Sequence, residues 1–320
     1  MRNTLFSVLL GVITSSGYLA AAGDWPQWRY DAGHGAVTPY ALPDQVHLQW
    51  SRQLPIASPA WPSTQSKLDF DLAPEPVAYD GRLFVPHTTT DSVTAYDTGT
   101  GEELWRFYAE APVRFAPVAN EGKVWFVSDD GHIYCLNAGN GKLLWKFNGG
   151  PGERRGLGHG RMISTWPARG GPVHRDGKVW FTASIWPFMG IFVHCLDAET
   201  GRVIWTNSGE GMNYTVQPHG APSFATVAPQ GHLALAGKRL IVPGGRSSPA
   251  VFDADSGKLL NFKYDKKRGH HRVYAAGDYY FMDGARFKAS DGNALAEARA
   301  DSAKTAAMKN EEILEIHNEP

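Results

Sequence analysis

The chain has 320 residues, which is long enough to bury a sizeable core in one large or two ordinary domains. Its 31 Lys and Arg residues nearly balance its 32 Asp and Glu residues, which excludes a basic nucleic-acid-binding surface and an acidic tail. Aromatic residues make up 12% of the chain, and there are 35 Gly and 21 Pro residues, a composition typical of many short strands joined by turns.

Residues 1–22 have the pattern of a signal peptide. Arg2 supplies a positive charge, an apolar stretch begins at Leu5, and Ala20 and Ala22 form an A-x-A type cleavage site. We therefore expect a mature chain in the periplasm or outside the cell; the alternative is a short membrane anchor. No later segment approaches the roughly 20 apolar residues of a spanning helix, so we expect no membrane span.

One phrase recurs along the chain, with Asp or Asn followed four residues later by Gly and eight residues later by Trp. Copies begin at Asp97, Asn137, Asp197 and Asp253, and a degraded copy surrounds Gly292. The fourth and fifth copies lack the Trp, but the glycines of successive copies lie 35–60 residues apart. A second glycine turn lies upstream of each copy. Two short turns and four strands per copy predict the blades of a β-propeller.

The phrase resembles the signature of the pyrroloquinoline-quinone (PQQ) type repeat, Ala/Leu-x-Asp-x-x-Thr-Gly-x-x-x-Trp. The segment Asp24-Trp25-Pro26-Gln27-Trp28-Arg29 also resembles the opening of secreted members of that family. The resemblance implies an all-β propeller domain over residues 23–293, built from four-stranded antiparallel blades. Residues 294–320 are rich in Ala, Glu and Lys, and we expect a helical or disordered tail there.

About five blades are visible, whereas the resemblance implies a ring of seven or eight. Trp50 looks like part of the outer strand of a further, incomplete blade. Three explanations remain open: a fragment of a longer protein, a short propeller, or closure by two chains. Cys135 and Cys195 occupy the same position in consecutive copies, too far apart for a disulfide, so we expect two buried thiols.

Strand order predicts that the short turns share one face, the turn face, and that all long connections share the other, the loop face. Long loops on a rigid scaffold commonly carry binding residues. The ligand-binding candidates are Arg114, Trp166, Arg169, His219, Arg246 and His270. Arginine guanidinium groups bind carboxylates and aromatic rings supply stacking, so these residue types suit a planar or anionic ligand. The alternative is that these arginines are solvated or bond loop carbonyls.

An apolar loop tip is a second feature of the loop face. Its side chains, Trp186, Phe188 and Met189, are candidates for a partner contact, and packing against the next blade is the alternative. Asp129-Asp130-Gly131 has the pattern of a hairpin tip and not of a catalytic carboxylate pair.

Three functions remain open, and the resemblance implies the first two of them. The first is a non-catalytic binding or protein-interaction scaffold, similar to periplasmic propellers that assist outer-membrane assembly, with a protein or an anionic molecule as partner and no cofactor. The second is a quinoprotein dehydrogenase with PQQ and Ca²⁺. This sequence, however, has no adjacent cysteines and no recognisable set of calcium ligands like those of that family. The third is a hydrolase or lyase on an anionic polymer, with His219 as base and Arg169 as charge clamp. We expect His219→Ala and Arg169→Ala to weaken ligand binding with little loss of stability.

Overall fold

A computed structural model describes residues 23–41, 44–211, 213–216, 220–224, 226–263 and 269–295. The predicted signal peptide, nearly all of the predicted tail and the candidate His219 lie outside these residues. Within them the fold is all-β, as predicted, and five sheets, each built on four antiparallel strands, follow one another along the chain as five blades. No helix of this part of the chain is long and apolar enough to cross a membrane.

The strands of blades one and two are β1 (Val77–Tyr79), β2 (Arg82–His87), β3 (Ser92–Asp97), β4 (Glu103–Tyr108), β5 (Val118–Asn120), β6 (Lys123–Val127), β7 (His132–Asn137) and β8 (Leu143–Asn148). A hairpin of β9 (Arg155–Gly158) and β10 (Arg161–Ser164) leads to blade three, which contains β11 (Gly170–Arg175), β12 (Lys178–Ala183), β13 (Phe192–Asp197) and β14 (Val203–Asn207). A second hairpin, β15 (Tyr214–Val216) and β16 (Pro222–Phe224), follows.

After this hairpin, β17 (Gly231–His232) pairs in parallel with β11. Blades four and five then contain β18 (Ala234–Ala236), β19 (Arg239–Gly244), β20 (Ser247–Asp253), β21 (Leu259–Asn261), β22 (Tyr274–Ala276), β23 (Tyr279–Met282), β24 (Ala285–Lys288) and β25 (Ala294–Leu295). Two 3-10 helices span Ser66–Leu68 and Pro187–Met189. Blade five thus reaches Leu295, two residues beyond the sequence-based domain boundary at 293.

Local turn chemistry explains why each copy of the repeat makes two paired strands. The Oδ1 atom of Asp97 accepts hydrogen bonds from the amides of Gly99 (2.9 Å) and Thr100 (2.8 Å), which starts the turn. Gly101 completes the turn at φ +70°, a conformation that costs glycine little. The third strand of the blade is buried, whereas the fourth strand is largely exposed, so strand order runs from the inside of the molecule outward.

The repeated Trp joins each of blades one, two and three to the blade that follows it. The indole Nε1 of Trp105 donates to the Ala138 carbonyl (3.0 Å), and its ring covers Gly141 so closely that a Cβ there would lie 2.7 Å from it. Trp145 and Trp205 make the same contact with the glycines of blades three and four. Trp50 makes it with blade one, where its Nε1 donates to the Thr98 carbonyl (2.9 Å). Trp50 therefore occupies the place of an outer-strand Trp, as its sequence context predicts.

The two cysteines are free and buried, which confirms their predicted role as packing residues. Each lies on the third strand of its blade, opposite a Trp of the second strand: Cys135 opposite Trp125 and Cys195 opposite Trp180. Burial raises the pKa of both thiols to about 12. Both thiols are therefore neutral and unreactive at physiological pH.

Candidate functional site

Four charged side chains of the loop face form one buried network. Arg114 lies between blades one and two, and its Nε donates to Asp129 Oδ2 (2.6 Å) while Nη1 donates to Asp71. Asp129 lies in the β6–β7 loop and also accepts from Arg169, at Oδ1 from Nε and at Oδ2 from Nη2 (2.8 Å). Side-chain exposure is at most 2% for all four residues. The loop face thus holds two guanidinium groups against two carboxylates.

Burial and charge act in opposite directions on these carboxyl groups. Burial by itself would raise the pKa of Asp129, but the guanidinium groups of Arg114 and Arg169 outweigh it and hold that pKa below its usual value. Burial raises the pKa of Asp71, and Arg114 offsets only part of the rise. Within the described residues, Arg169 Nη1 and Asp71 Oδ1 are buried without a hydrogen-bond partner. Asp129 is therefore the fully paired anion at the centre of the network.

Residues 58–71 pack over the loop face. Phe70 stacks on Phe115 with centroids 4.9 Å apart, and the Nε1 of Trp61 donates to Gln230 Oε1 (2.8 Å). Phe115 meets the ring of His232 edge-on at 5.1 Å, and His232 stacks on Trp28 at 4.4 Å. A column of rings therefore links this covering segment to the N-terminal part of the chain. The repeat pattern gives no sign of this segment because the segment lies outside the repeat.

The remaining ligand-binding candidates are spread over the loop face. Trp166 is half-buried, and its Nε1 donates to the Met189 carbonyl (2.8 Å). Arg246 is exposed in the β19–β20 turn, and His270 stacks on His271 at 4.4 Å. Burial lowers the pKa of His270. Ligand binding by these residues, and by His219 outside the described chain, stays a prediction.

Arg114 and Arg169 differ from the solvated arginines that the sequence allowed. Arg169 has 0% exposure and makes two hydrogen bonds to one carboxylate. Removal of such a group leaves an anion buried with fewer partners, which is destabilising. The expectation that Arg169→Ala costs little stability therefore disagrees with the burial of this side chain.

Exposed apolar side chains form a second feature of the loop face, which we call the apolar rim. Trp186 (42% exposed) and Phe188 (53%) lie at the loop tip predicted from the sequence, and Met189 there is half-buried. Both long connections add exposed side chains from their hairpins. The rim consists of Leu157, Met162, Trp186, Phe188, Tyr214, Val216 and Phe224.

The rim belongs to connected elements. Trp166 joins the connection that carries β9 and β10 to the 3-10 helix Pro187–Met189 through its bond to Met189. The second connection packs there too, because a Cβ on Gly211 would lie 2.4 Å from the Ile191 nitrogen. Strand order predicts the two connections only as long loops. The His159-Gly160 pair, with Leu157 and Met162 two residues to either side, was the hairpin signal within the first one.

The acidic residues of the loop face do not fit a site for PQQ with Ca²⁺. Calcium takes six to eight oxygen ligands. Asp71 and Asp129 are already neutralised by arginines, Asp91 pairs with Arg161, and Asp130 accepts from Tyr134 (2.6 Å). Across the described part of the chain, no three His, Cys, Asp or Glu side chains converge as metal ligands. Among the described residues, the loop face thus offers no cluster of free carboxylates.

Comparison with known proteins places this architecture among its relatives. Residues 47–165 match the family described as outer membrane protein assembly factor BamB. The dehydrogenase subunit of a quinone alcohol dehydrogenase from Gluconobacter oxydans is 29% identical over 207 residues, covering 60% of this chain and 26% of that protein. The chain therefore spans about a quarter of the length of this curated relative.

Two solved structures share the fold. BamB from Moraxella catarrhalis superimposes with a TM-score of 0.52 at 17% identity, over 72% of this chain and 64% of that one. The quinohemoprotein alcohol dehydrogenase from Comamonas testosteroni gives a TM-score of 0.54 at 16% identity, over 85% and 48%. The sheets and their Trp–glycine contacts define a β-propeller of repeated four-stranded blades. Residues 47–165 and the fold of the described chain are thus similar to the PQQ-like repeat propellers, as the resemblance of the repeat predicts.

Proposed function

We propose that this chain is an exported, non-catalytic propeller that binds a partner polypeptide through the apolar rim of its loop face. The observation that carries the proposal is the exposure of seven apolar side chains, three of them from the second hairpin, on one set of connected loops. Aromatic residues and Met are enriched in the cores of protein interfaces, and contiguous exposed apolar surface marks interaction sites. The assembly-factor description of the matched family supports the same class of function.

Export forms part of the proposal. The signal-peptide pattern of residues 1–22 favours a periplasmic or secreted protein, where a propeller could meet polypeptides after their translocation. An anionic ligand is a weaker form of the proposal. Arg114 and Arg169 are already bound by carboxylates, which leaves Trp166, Arg246, His270 and, outside the described residues, His219 as its candidates.

Site-specific photocrosslinking in cells that export the protein would test the rim. A photoreactive residue is introduced at Phe188, and a matched one at Asn140, which is exposed on a turn of the opposite face. We expect defined adducts to one or a few polypeptides from position 188 only. Leu157→Asp, on the neighbouring hairpin, should reduce the adduct yield at least about tenfold, because a charge must be desolvated at the contact.

Two results would contradict this function. One is an equal set of adducts from positions 188 and 140, which would indicate random encounters. The other is an adduct yield at position 188 that does not change with Leu157→Asp, although the variant is folded by circular dichroism.

A quinoprotein dehydrogenase is the second candidate, favoured by the similarity to the Gluconobacter oxydans subunit. Calorimetric titration of the mature chain with PQQ, with and without Ca²⁺, distinguishes the two. Because the loop-face carboxylates are paired with arginines, we expect no saturable heat at high micromolar PQQ. Calcium-dependent binding near one PQQ per chain would instead favour the dehydrogenase.

A further inference from the structure

The segment from Asp24 to His34 contains the opening motif that the propeller repeat leaves unexplained. It runs along the innermost strands of the blades and contacts them in their order along the chain. Trp25 pairs with Ala78 in blade one, and its amide donates to the Ala78 carbonyl (2.7 Å). The Asp24 carboxylate accepts from the Asp80 amide (2.9 Å) at the adjoining turn. The segment thus begins as an additional strand beside β1.

Each innermost strand donates one backbone amide to this segment. Ala78 donates to the Trp25 carbonyl (2.9 Å) and Ala119 donates to the Pro26 carbonyl (2.8 Å). Leu235 donates to the Ala32 carbonyl and Ala275 to the Gly33 carbonyl, both at 2.7 Å. The acceptors therefore advance along the segment as the donors advance from blade one to blade five.

Blade three is reached by a side chain and not by the backbone. The amide of His174 donates to Gln27 Oε1 (2.9 Å), and Gln27 Nε2 donates back to the His174 carbonyl (3.1 Å). A carboxamide offers the same donor and acceptor as a peptide group, so Gln27 replaces a strand residue. This is the physical reason for an amide side chain at this position of the motif.

The turn between the two halves of the segment is held locally. Asp31 Oδ1 accepts from the amides of Gly33 (2.8 Å) and Gly35 (3.0 Å), while Arg29 and Tyr30 have positive φ angles of 54° and 83°. Trp28 lies inside this turn, stacked on His232 and edge-on to His34 at 4.6 Å. Residues other than glycine rarely adopt positive φ angles, and this conformation of Arg29 and Tyr30 persists only when tertiary contacts fix it.

We infer that residues 24–34 are an axial clasp, a segment whose hydrogen bonds to all five innermost strands couple the blades into one cooperative unit. Innermost strands otherwise end a sheet with unpaired amides, and buried unpaired amides are costly. Contacts between neighbouring blades join them only in pairs, whereas the clasp contacts every blade. Local opening of one blade is therefore coupled to the other four.

Amide-resolved hydrogen exchange of the full chain tests the clasp, with the amides of Ala78, Ala119, His174, Leu235 and Ala275 as reporters. In Gly33→Ala the new Cβ would lie 2.6 Å from the Ala275 carbonyl oxygen. We expect all five amides to exchange at least about tenfold faster, while amides of the β3–β4 ladder change less. Gly156→Ala, where a Cβ meets open space, is the matched control.

Gln27→Ala is a milder variant that keeps the test valid if Gly33→Ala does not fold. It removes only the pairing with His174, and we expect the same five amides to respond together. Acceleration confined to the amide next to the substitution would overturn the inference, since it would show a local contact only. Equal acceleration of inner and outer amides would also overturn it, because the segment would then have no special coupling role.

Discussion

Arg169 and Asp129 show what a sequence leaves open about a single residue pair. Arg169 has the residue type of an anion-binding side chain, and Asp129 lies in a pattern typical of a hairpin tip. In the fold, the two side chains form a doubly hydrogen-bonded pair with almost no solvent exposure. Loss of one partner from a buried ion pair leaves the other charge without compensation, so such pairs are costly to break.

The first prediction at the residue scale concerns this pair. We expect Arg169→Ala to lower the free energy of unfolding by about 3–5 kcal/mol, because Asp129 then keeps only Arg114 as a partner. Arg246→Ala removes an exposed arginine of the same face and is the matched control, with an expected change within about 0.5 kcal/mol. Urea unfolding of the two variants and the parent chain measures both values. Equal stability of the two variants would show that the buried pair contributes nothing specific.

The Trp–glycine contact is the unit of packing at the scale of elements. Glycine serves two purposes at Gly201, since its φ is +71° and the Trp145 ring leaves no room for a Cβ. Gly177, in an upstream turn of the same blade, has nearly the same φ of +69° but faces open space. Comparison of the two positions separates backbone strain from packing against the neighbouring blade.

We expect Gly177→Ala to cost about 1–2 kcal/mol from the left-handed backbone alone. Gly201→Ala should cost a further 1–3 kcal/mol, roughly, because the new methyl group lies 2.7 Å from the indole of Trp145. Only Gly201→Ala should shift the tryptophan fluorescence and the near-ultraviolet circular dichroism. The same loss of stability in both variants, with unchanged spectra, would mean that the indole moves aside without cost.

Buried histidines give the whole molecule a common response to pH. Burial lowers the pKa of His34 to about 3 and that of His194 to about 4. His34 donates through Nδ1 to the Val273 carbonyl (2.9 Å), and His194 is bonded to Thr206 and the Gly149 carbonyl. Both rings are therefore neutral in the folded chain, whereas in the unfolded chain they protonate near pH 6.5.

A pKa that is lower in the folded state makes acid destabilising, because the unfolded state then binds more protons. We expect stability to be constant above about pH 7 and to fall from about pH 6.5 to pH 4, with a slope of up to about 1.4 kcal/mol per pH unit for each such histidine. Urea midpoints between pH 4.5 and 8 measure this slope. His194→Gln should reduce it, and His47→Gln, at an exposed position, should not. A stability that stays level between pH 6.5 and 5 would contradict the prediction.

The sequence by itself determined the blades. A turn-forming Asp or Asn, a glycine in the left-handed backbone conformation and an outer-strand Trp act within about ten residues. Their effect is therefore local, and the same pattern is visible in each copy of the repeat. The burial of the two cysteines was predicted from their equivalent positions in consecutive copies of the repeat. For the loop face, the sequence predicted only the location, because strand order determines on which face the long connections lie but not how they fold.

Tertiary structure alone decided which polar groups are paired and which apolar groups are exposed. Gln27 and His174 stand 147 residues apart, and Arg169 and Asp129 stand 40 residues apart on different blades. Neither pair leaves a periodic trace in the chain, since each occurs once and its partners meet only when the blades assemble. Arginine looks the same in a sequence whether it binds a ligand or a buried carboxylate, because the difference lies in the neighbours that folding supplies.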